Sequence, residues 1–464
     1  MSGEFGLKKV LGLGDLVAIE VGTTVGAGIF SLTALAASFT GPSVPLAFAA
    51  AAVPIVFIMM TVGMLGSAMP TVGGTYRYPS RLFSPLWATV GVWCYAIGLV
   101  FGALPMYATE CVRYLQSVWP GLPFKPAAIG LLTIFFLVNV VGIEIAASAQ
   151  ALMVVVLIAA LIAFGGIGLA SVDPTNFVPP LPHGLGGFVL AACILTFALQ
   201  GSNSVIELGA EIKRPSRDIP LSLLISIPLV SVLYILVAVA ALGNIDFHSW
   251  TAMENANLTQ PARVFLSRPW FLFFLIGGAI FAFSTTLNAT FMWATKSLMV
   301  VARDGIIPPA LARTGRFGTP VIFLAILWAG SVIAVLANAG IKTFASYATI
   351  GGMVIFIPSM ISAMLLPKKA PALYNRPGFR LRGKMLYIAP GIGIITSALL
   401  IIILLADLKL WALPFLAWFG LGFAFYYLRK RAVEARAGTS FQEIIAKDLA
   451  AMIRDGSDPS GGGS

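Results

Sequence analysis

Two short stretches of this chain combine small and polar residues in a way that could hold a ligand through the main chain. One is Gly22-Thr23-Thr24-Val25-Gly26-Ala27-Gly28-Ile29-Phe30, and the other is Phe197-Ala198-Leu199-Gln200-Gly201-Ser202-Asn203-Ser204. Each lies inside a long apolar run, where glycine and threonine weaken an α-helix and no water replaces lost hydrogen bonds. Amides freed at the start of a half-helix attract an anion, and freed carbonyls attract a cation. A site offering both suits a zwitterion, of which an amino acid is the simplest. One such stretch alone reads equally well as close helix packing through small residues. The pair shifts the balance.

Two carboxylates lie in the same apolar context. Glu20 precedes the first stretch and Glu207 follows the second, both toward the same membrane face. An ionised carboxylate there is costly unless it is paired or protonated. Each is therefore either a proton carrier, charged when its path is wet and protonated when closure removes water, or paired with Lys296, a loop arginine or helix-end amides. Glu211, Lys213 and Arg217 form a charged cap that reads as a cytoplasmic gate, with Pro215 ending the helix. Glu110 and Arg113, three apart, make a helix pair. Ser284, Thr285 and Thr286 could offer hydroxyls to a sodium ion, with carbonyls near Gly22 and Val25 completing the set. The two histidines, His183 and His248, fall in loops, and Cys94, Cys111 and Cys193 form no CxxC. No cofactor, resident metal or disulfide is expected.

These residues need a scaffold, and composition names its class. Of 464 residues, 59% are hydrophobic and 10% charged, against roughly 25% charge in soluble domains. Too little polar sequence remains to cover a soluble surface. That excludes a soluble enzyme, a nucleic-acid binder and a disordered chain, and leaves an all-α polytopic membrane protein.

Measured against the roughly 20 apolar residues a helix needs to cross a bilayer, twelve runs emerge. They lie at 14–38, 42–66, 84–117, 126–142, 146–170, 186–211, 219–243, 269–302, 319–338, 343–366, 385–406 and 410–428. With the N-terminus cytoplasmic, most of the 29 Lys and Arg fall on the inner face. Arg113, Lys125, Arg263, Arg268, Lys342 and Lys409 fall outside, and Lys296 lies within a span. The excess places both termini in the cytoplasm of an inner-membrane protein, and it also accounts for the formal net charge of +11. The segment 1–13 is then a cytoplasmic lead-in. The tail 432–455, with Phe441, Ile444, Ile445, Leu449, Met452 and Ile453 at helical spacing, is an amphipathic helix lying on the inner surface or the bundle. Residues 456–464 read as a flexible end or an expression remnant.

The two glycine-containing stretches fall in the first and sixth runs. These are corresponding places if 14–170 and 186–366 are repeats of five helices, inverted because five is odd, followed by two helices over 385–428. Paired interruptions of this kind mark a midplane substrate site.

Three motifs make the architecture specific. Val21 to Phe30, the run Gly209-Ala210-Glu211-Ile212-Lys213-Arg214-Pro215-Ser216-Arg217-Asp218-Ile219-Pro220, and Thr285-Thr286-Leu287-Asn288 followed by Ala302-Arg303-Asp304-Gly305-Ile306-Ile307-Pro308 keep their order and spacing. Over about residues 7–430 the chain resembles the amino acid–polyamine–organocation superfamily of secondary transporters. The resemblance implies the five-plus-five inverted repeat of the LeuT-like fold and an amino acid substrate in the bilayer. By that likeness the amides of Ala27 and Gly28, beside Gly26, hold a carboxylate. Carbonyls of Thr23, Thr24, Phe197, Ala198 and Gly201 hold an ammonium group, and Phe197 acts as an aromatic gate. The likeness also has departures. Leu157 stands where some proton-coupled relatives carry a lysine, and Asn203 where carriers of cationic amines carry a glutamate. The second departure leaves a cationic side chain without a partner and so favours neutral substrates. The lack of an acidic residue in the 269–302 run that carries the hydroxyls favours sodium-independent exchange or proton symport, with Glu20 as the first proton site and Glu207 the second. A channel or an intramembrane enzyme fits less well, since neither a filter loop nor a nucleophile–base pair is visible.

Overall fold

The computed structural model describes residues 9–253, 256–337 and 339–455. Numbered in chain order, the helices begin with α1 (Leu13–Thr24), α2 (Ala27–Phe30), α3 (Leu32–Thr40), α4 (Val44–Ala68) and α5 (Gly74–Leu82). They continue with α6 (Pro85–Gly98), α7 (Leu104–Gln116), α8 (Phe124–Val141), α9 (Ile143–Leu169), α10 (Gly184–Thr196) and α11 (Pro215–Gly243). The short α12 (Phe247–Thr251), α13 (Thr259–Phe265) and α14 (Arg268–Phe273) precede α15 (Phe281–Arg303), α16 (Val321–Ala337), α17 (Ile341–Lys369) and α18 (Pro371–Tyr374). The chain ends in α19 (Met385–Leu408), α20 (Ala412–Ala437) and α21 (Phe441–Asp455). The segment 456–464 lies outside the described residues.

Each of the twelve apolar runs falls on one or more of these helices. Ten stretches among the described residues are long and apolar enough to cross a bilayer. One of them, Met385–Ala437, joins α19 and α20 across the short turn Lys409–Trp411, while α16 has 17 residues and falls short of that length. Leu152, Leu224 and Ile402 stay exposed on the outside of the bundle, as a lipid-facing surface requires. The chain is an all-helical, multi-pass membrane protein.

Four irregular stretches set the geometry of the interior. α1 stops at Thr24, where Val25 turns extended (φ −83°, ψ 92°). Thr23 and Thr24 fold their hydroxyls back onto the carbonyls of Ile19 and Glu20, each at 2.6 Å, a local bond that competes with helix continuation. The second stretch is wound differently from the first. Phe197–Glu207 continues α10 as eleven residues of 3₁₀ helix rather than opening into a gap. The other two are π-helical turns, Leu99–Ala103 between α6 and α7 and Phe274–Ile280 between α14 and α15. Such turns are rare and often lie beside functional sites.

Basic residues separate into two sets. Arg77, Arg81 and Arg303 converge on Asp448 of α21, Arg376 reaches the carbonyls of Ala68 and Met452, and Arg429 those of Gly305 and Ile306. Arg263 meets the Ser117 carbonyl, Lys125 that of Leu336, and Lys342 pairs with Asp407. None of these contacts crosses from one set to the other.

Candidate functional site

α1 packs against α9, α11, α15 and the 3₁₀ segment, so the two interrupted helices meet in the middle of the bundle. Two glycines permit the contact. A methyl at Gly201 would lie 2.5 Å from the Thr24 amide nitrogen, and one at Gly28 would lie 2.5 Å from Cβ of Ala198. Tyr234 of α11 straps the junction, its hydroxyl pointing at the carbonyls of both Thr24 (2.7 Å) and Ala198 (3.1 Å). The Thr24 and Ser202 hydroxyls lie 3.4 Å apart across the same seam.

Beside this junction is a cavity of about 30 Å³. Seven of the residues singled out from sequence line it: Thr23, Thr24, Gly28, Phe197, Ala198, Gly201 and Asn203. Gly26 is not in the lining, and the surroundings of the Ala27 side chain lie outside the described residues. Gly26 instead faces α15, where an added methyl would meet the Thr286 hydroxyl at 2.2 Å. The remaining walls come from residues that sequence reasoning passed over as ligand contacts, among them Tyr95, Tyr107, Gln200, Trp293 and Ala348. The π turn that follows Gly98 was invisible in composition, yet Gly98, Leu99 and Ala103 all border the cavity. Phe197 stacks on Tyr107 at 6.3 Å, and Tyr95 stacks on Trp293 at 5.6 Å. Tyr95, Leu99 and Trp293 also border a second cavity of about 10 Å³, which Glu207 and Ser297 help to line.

The carboxylates sit among hydroxyl donors. Glu20, fully buried, accepts from Ser222 (2.7 Å) and Ser226 (2.5 Å) on α11. Glu207 accepts from the Thr75 amide (3.1 Å), the Thr75 hydroxyl and Ser297 (2.7 Å). Lys296, a counter-charge considered for these two groups, pairs with Glu211 at 2.6 Å instead. The charged cap therefore divides. Glu211 turns inward, whereas Lys213 and Arg217 are exposed and form no ion pair among the described residues. Glu110 does pair with Arg113, at 3.1 Å.

Of the three α15 hydroxyls, Thr286 reaches the break in α1: its oxygen lies 2.8 Å from the Ala282 carbonyl of its own helix, 3.0 Å from that of Gly22 and 3.4 Å from that of Val25, with one proton to donate among the three. Thr285 bonds back to Ala282 at 2.9 Å, and Ser284 is buried on the same helix.

A family model described as amino acid permease matches residues 11–424. The chain belongs to the amino acid permease family, within the amino acid–polyamine–organocation superfamily. The permease is 25% identical over 458 residues to the branched-chain amino acid permease of Bacillus subtilis (strain 168), covering 93% of this chain and 95% of that one. It is 24% identical over 447 residues to the methylthioribose transporter of the same organism, covering 92% and 94%. The vacuolar cationic amino acid transporter 4 of Arabidopsis thaliana is 27% identical over 325 residues, 65% of the permease and 54% of that protein. The permease is a membrane transporter.

Proposed function

We propose that this permease is a secondary carrier of neutral amino acids, working by alternating access around the junction of α1 and the 3₁₀ segment. The carrying observation is the cavity between the two interrupted helices, whose lining residues include no Lys, Arg, Asp, Glu or His. An ionised substrate side chain would find no counter-charge there, and burying an unpaired charge is costly. The main-chain charges of a free amino acid are served by the breaks. Amides of Ala27 and Gly28 hold the carboxylate, and carbonyls of Thr23, Thr24, Phe197, Ala198 and Gly201 hold the ammonium group. Tyr234 fixes two of these carbonyls while leaving each a second lone pair. Phe197, stacked on Tyr107, acts as the lid.

The fold we assign is twelve membrane spans, as inverted repeats over 14–170 and 186–366 followed by 385–428. Paired irregularities support it: a break in the first helix and a 3₁₀ stretch in the sixth, and π turns in the third and eighth. The separation of basic residues supports cytoplasmic termini in an inner membrane. It also supports a cytoplasmic tail over 432–455 and an inner gate built on Glu211 and Lys296, with Lys213 and Arg217 at its rim.

Transport is sodium-independent, by exchange or proton symport. Among the described residues, the only α15 hydroxyl within hydrogen-bond reach of the Gly22 and Val25 carbonyls is that of Thr286, which also contacts Ala282, and no carboxylate stands beside it to complete a cation's oxygen shell. Of the two carboxylates, Glu207 is the better-placed proton site, because its cavity shares three wall residues with the substrate cavity. Glu20 ranks second. Counterflow into proteoliposomes tests the whole reading. Saturable, trans-stimulated uptake of neutral amino acids, equal in sodium and choline buffers, is expected. Uptake confined to arginine and lysine, or abolished without sodium, overturns it.

A further inference from the structure

The relatives' names span several substrates, so the kind of side chain this permease selects must be read from its own cavity. Two lining side chains carry buried nitrogens with no hydrogen-bond partner, Gln200 Nε2 and Trp293 Nε1, and a third, Asn203 Nδ2, has none within normal hydrogen-bond distance although its amide faces the Tyr95 hydroxyl. The indole N–H can only donate, and an amide turned end for end would still leave a polar atom unpaired. Buried polar groups are nearly always satisfied, and each exception asks for an explanation.

Helix winding explains why two of them share one wall. In a 3₁₀ helix, residues three apart eclipse one another. Phe197, Gln200 and Asn203 therefore form one row along the segment, and all three border the cavity. The neighbouring row of Ala198 and Gly201 borders the cavity too, but packs against Gly28 of α2 and Thr24 of α1 and has no polar side-chain atom. In an α-helix the first row would spread around the axis. Trp293 contributes its nitrogen from α15, stacked on Tyr95.

We propose that the preferred substrates are amino acids whose uncharged side chains carry hydrogen-bond acceptors, such as asparagine, glutamine and threonine, over the branched-chain set. The inference rests on the neutral amino acid reading above. The main-chain groups at the breaks take the carboxylate and ammonium. The side chain then lies against Gln200, Asn203 and Trp293, whose N–H groups need acceptor atoms. An aliphatic side chain of equal size leaves those donors unpaired when water is expelled. A site built to hydrogen-bond a ligand discriminates strongly against the analogue lacking the group.

Isosteric pairs test this: asparagine against leucine and threonine against valine, as competitors of labelled substrate counterflow into proteoliposomes containing the full chain. We expect asparagine and threonine to compete at concentrations about ten-fold or more below their partners. Trp293→Phe and Asn203→Leu should each shrink that ratio, read as asparagine against leucine and threonine against valine in the same variant. Leucine and valine competing as well as or better than their partners overturns this inference and leaves the carrier reading standing. Uptake or competition by none of the four overturns both. An unchanged ratio in both variants removes the three nitrogens as its cause and overturns the proposal, provided that each variant elutes as folded protein.

Discussion

The hydroxyl of Tyr234 lies 2.7 Å from the carbonyl of Thr24, the last residue of α1 before the chain leaves the helix. One side chain on α11 thus holds the end of one interrupted helix and, through Ala198, the start of the other winding. Removing the hydroxyl while keeping the ring separates strap from packing. Tyr234→Phe should lower the transport rate several-fold and cost about 1 kcal/mol of stability, read as proteoliposome flux and thermal unfolding in detergent. Wild-type flux would reduce the strap to an incidental contact.

The carboxylates make separable predictions. Glu207→Gln keeps the shape and removes the titratable group beside the cavity chain, so uptake should lose its response to an imposed pH gradient while exchange persists. Glu20→Gln, held by Ser222 and Ser226 away from both cavities, should retain most of that response. The opposite pattern returns Glu20 to first place.

Lys296 and Glu211 form an ion pair with both side chains buried. Breaking such a pair from one side costs about 3–5 kcal/mol, because the other charge is left uncompensated, whereas replacing both is far milder. Lys296→Met should therefore destabilise the permease more than Lys296→Met combined with Glu211→Met. Thermal unfolding of the three proteins in one detergent decides the point.

Asp448 binds Arg77 at 3.1 Å, Arg81 at 2.9 Å and Arg303 at 3.0 Å. Burial pushes its carboxyl up, and the guanidinium groups of Arg81, Arg77 and Arg303 outweigh burial, holding it below the ordinary Asp range. A depressed carboxyl contributes its stabilisation above the unfolded value and loses it only as pH falls through the lowered folded value. Docking of α21 should therefore be constant from neutral down to mildly acidic pH. Asp448→Asn should release α21 throughout that range, seen as faster proteolytic cleavage between α20 and α21.

Much of the frame was legible in the residues. Apolar runs long enough to cross a bilayer became helices because a helix satisfies every backbone group within its own segment in lipid, and Gly22 to Gly28 announced the end of α1. Partners were another matter. Glu20 finds serines some two hundred positions away, and Lys296 finds Glu211 rather than either carboxylate first considered. Hydrophobic periodicity fixes which face a helix buries, not which helix it meets. The same holds among the glycines. Gly26 and Gly28 are alike in sequence, yet Gly26 faces Thr286 and Gly28 faces Ala198, because the rotation of a broken helix is set by its neighbours. Gln200 and Asn203 share a row only through 3₁₀ winding, and a small, polar patch signals weakness without choosing a pitch.

That winding also changes a length. A 3₁₀ helix rises 2.0 Å per residue and an α-helix 1.5 Å, so the eleven residues of Phe197–Glu207 are about 5 Å longer than their α-helical form. This is close to one α-helical turn of travel, stored in the element that lines the ligand cavity. Any conformation that draws in this slack also dissolves the row of Phe197, Gln200 and Asn203. In the carrier mechanism proposed above, recognition of the cargo and displacement of the helix are thereby two readings of a single mechanical coordinate.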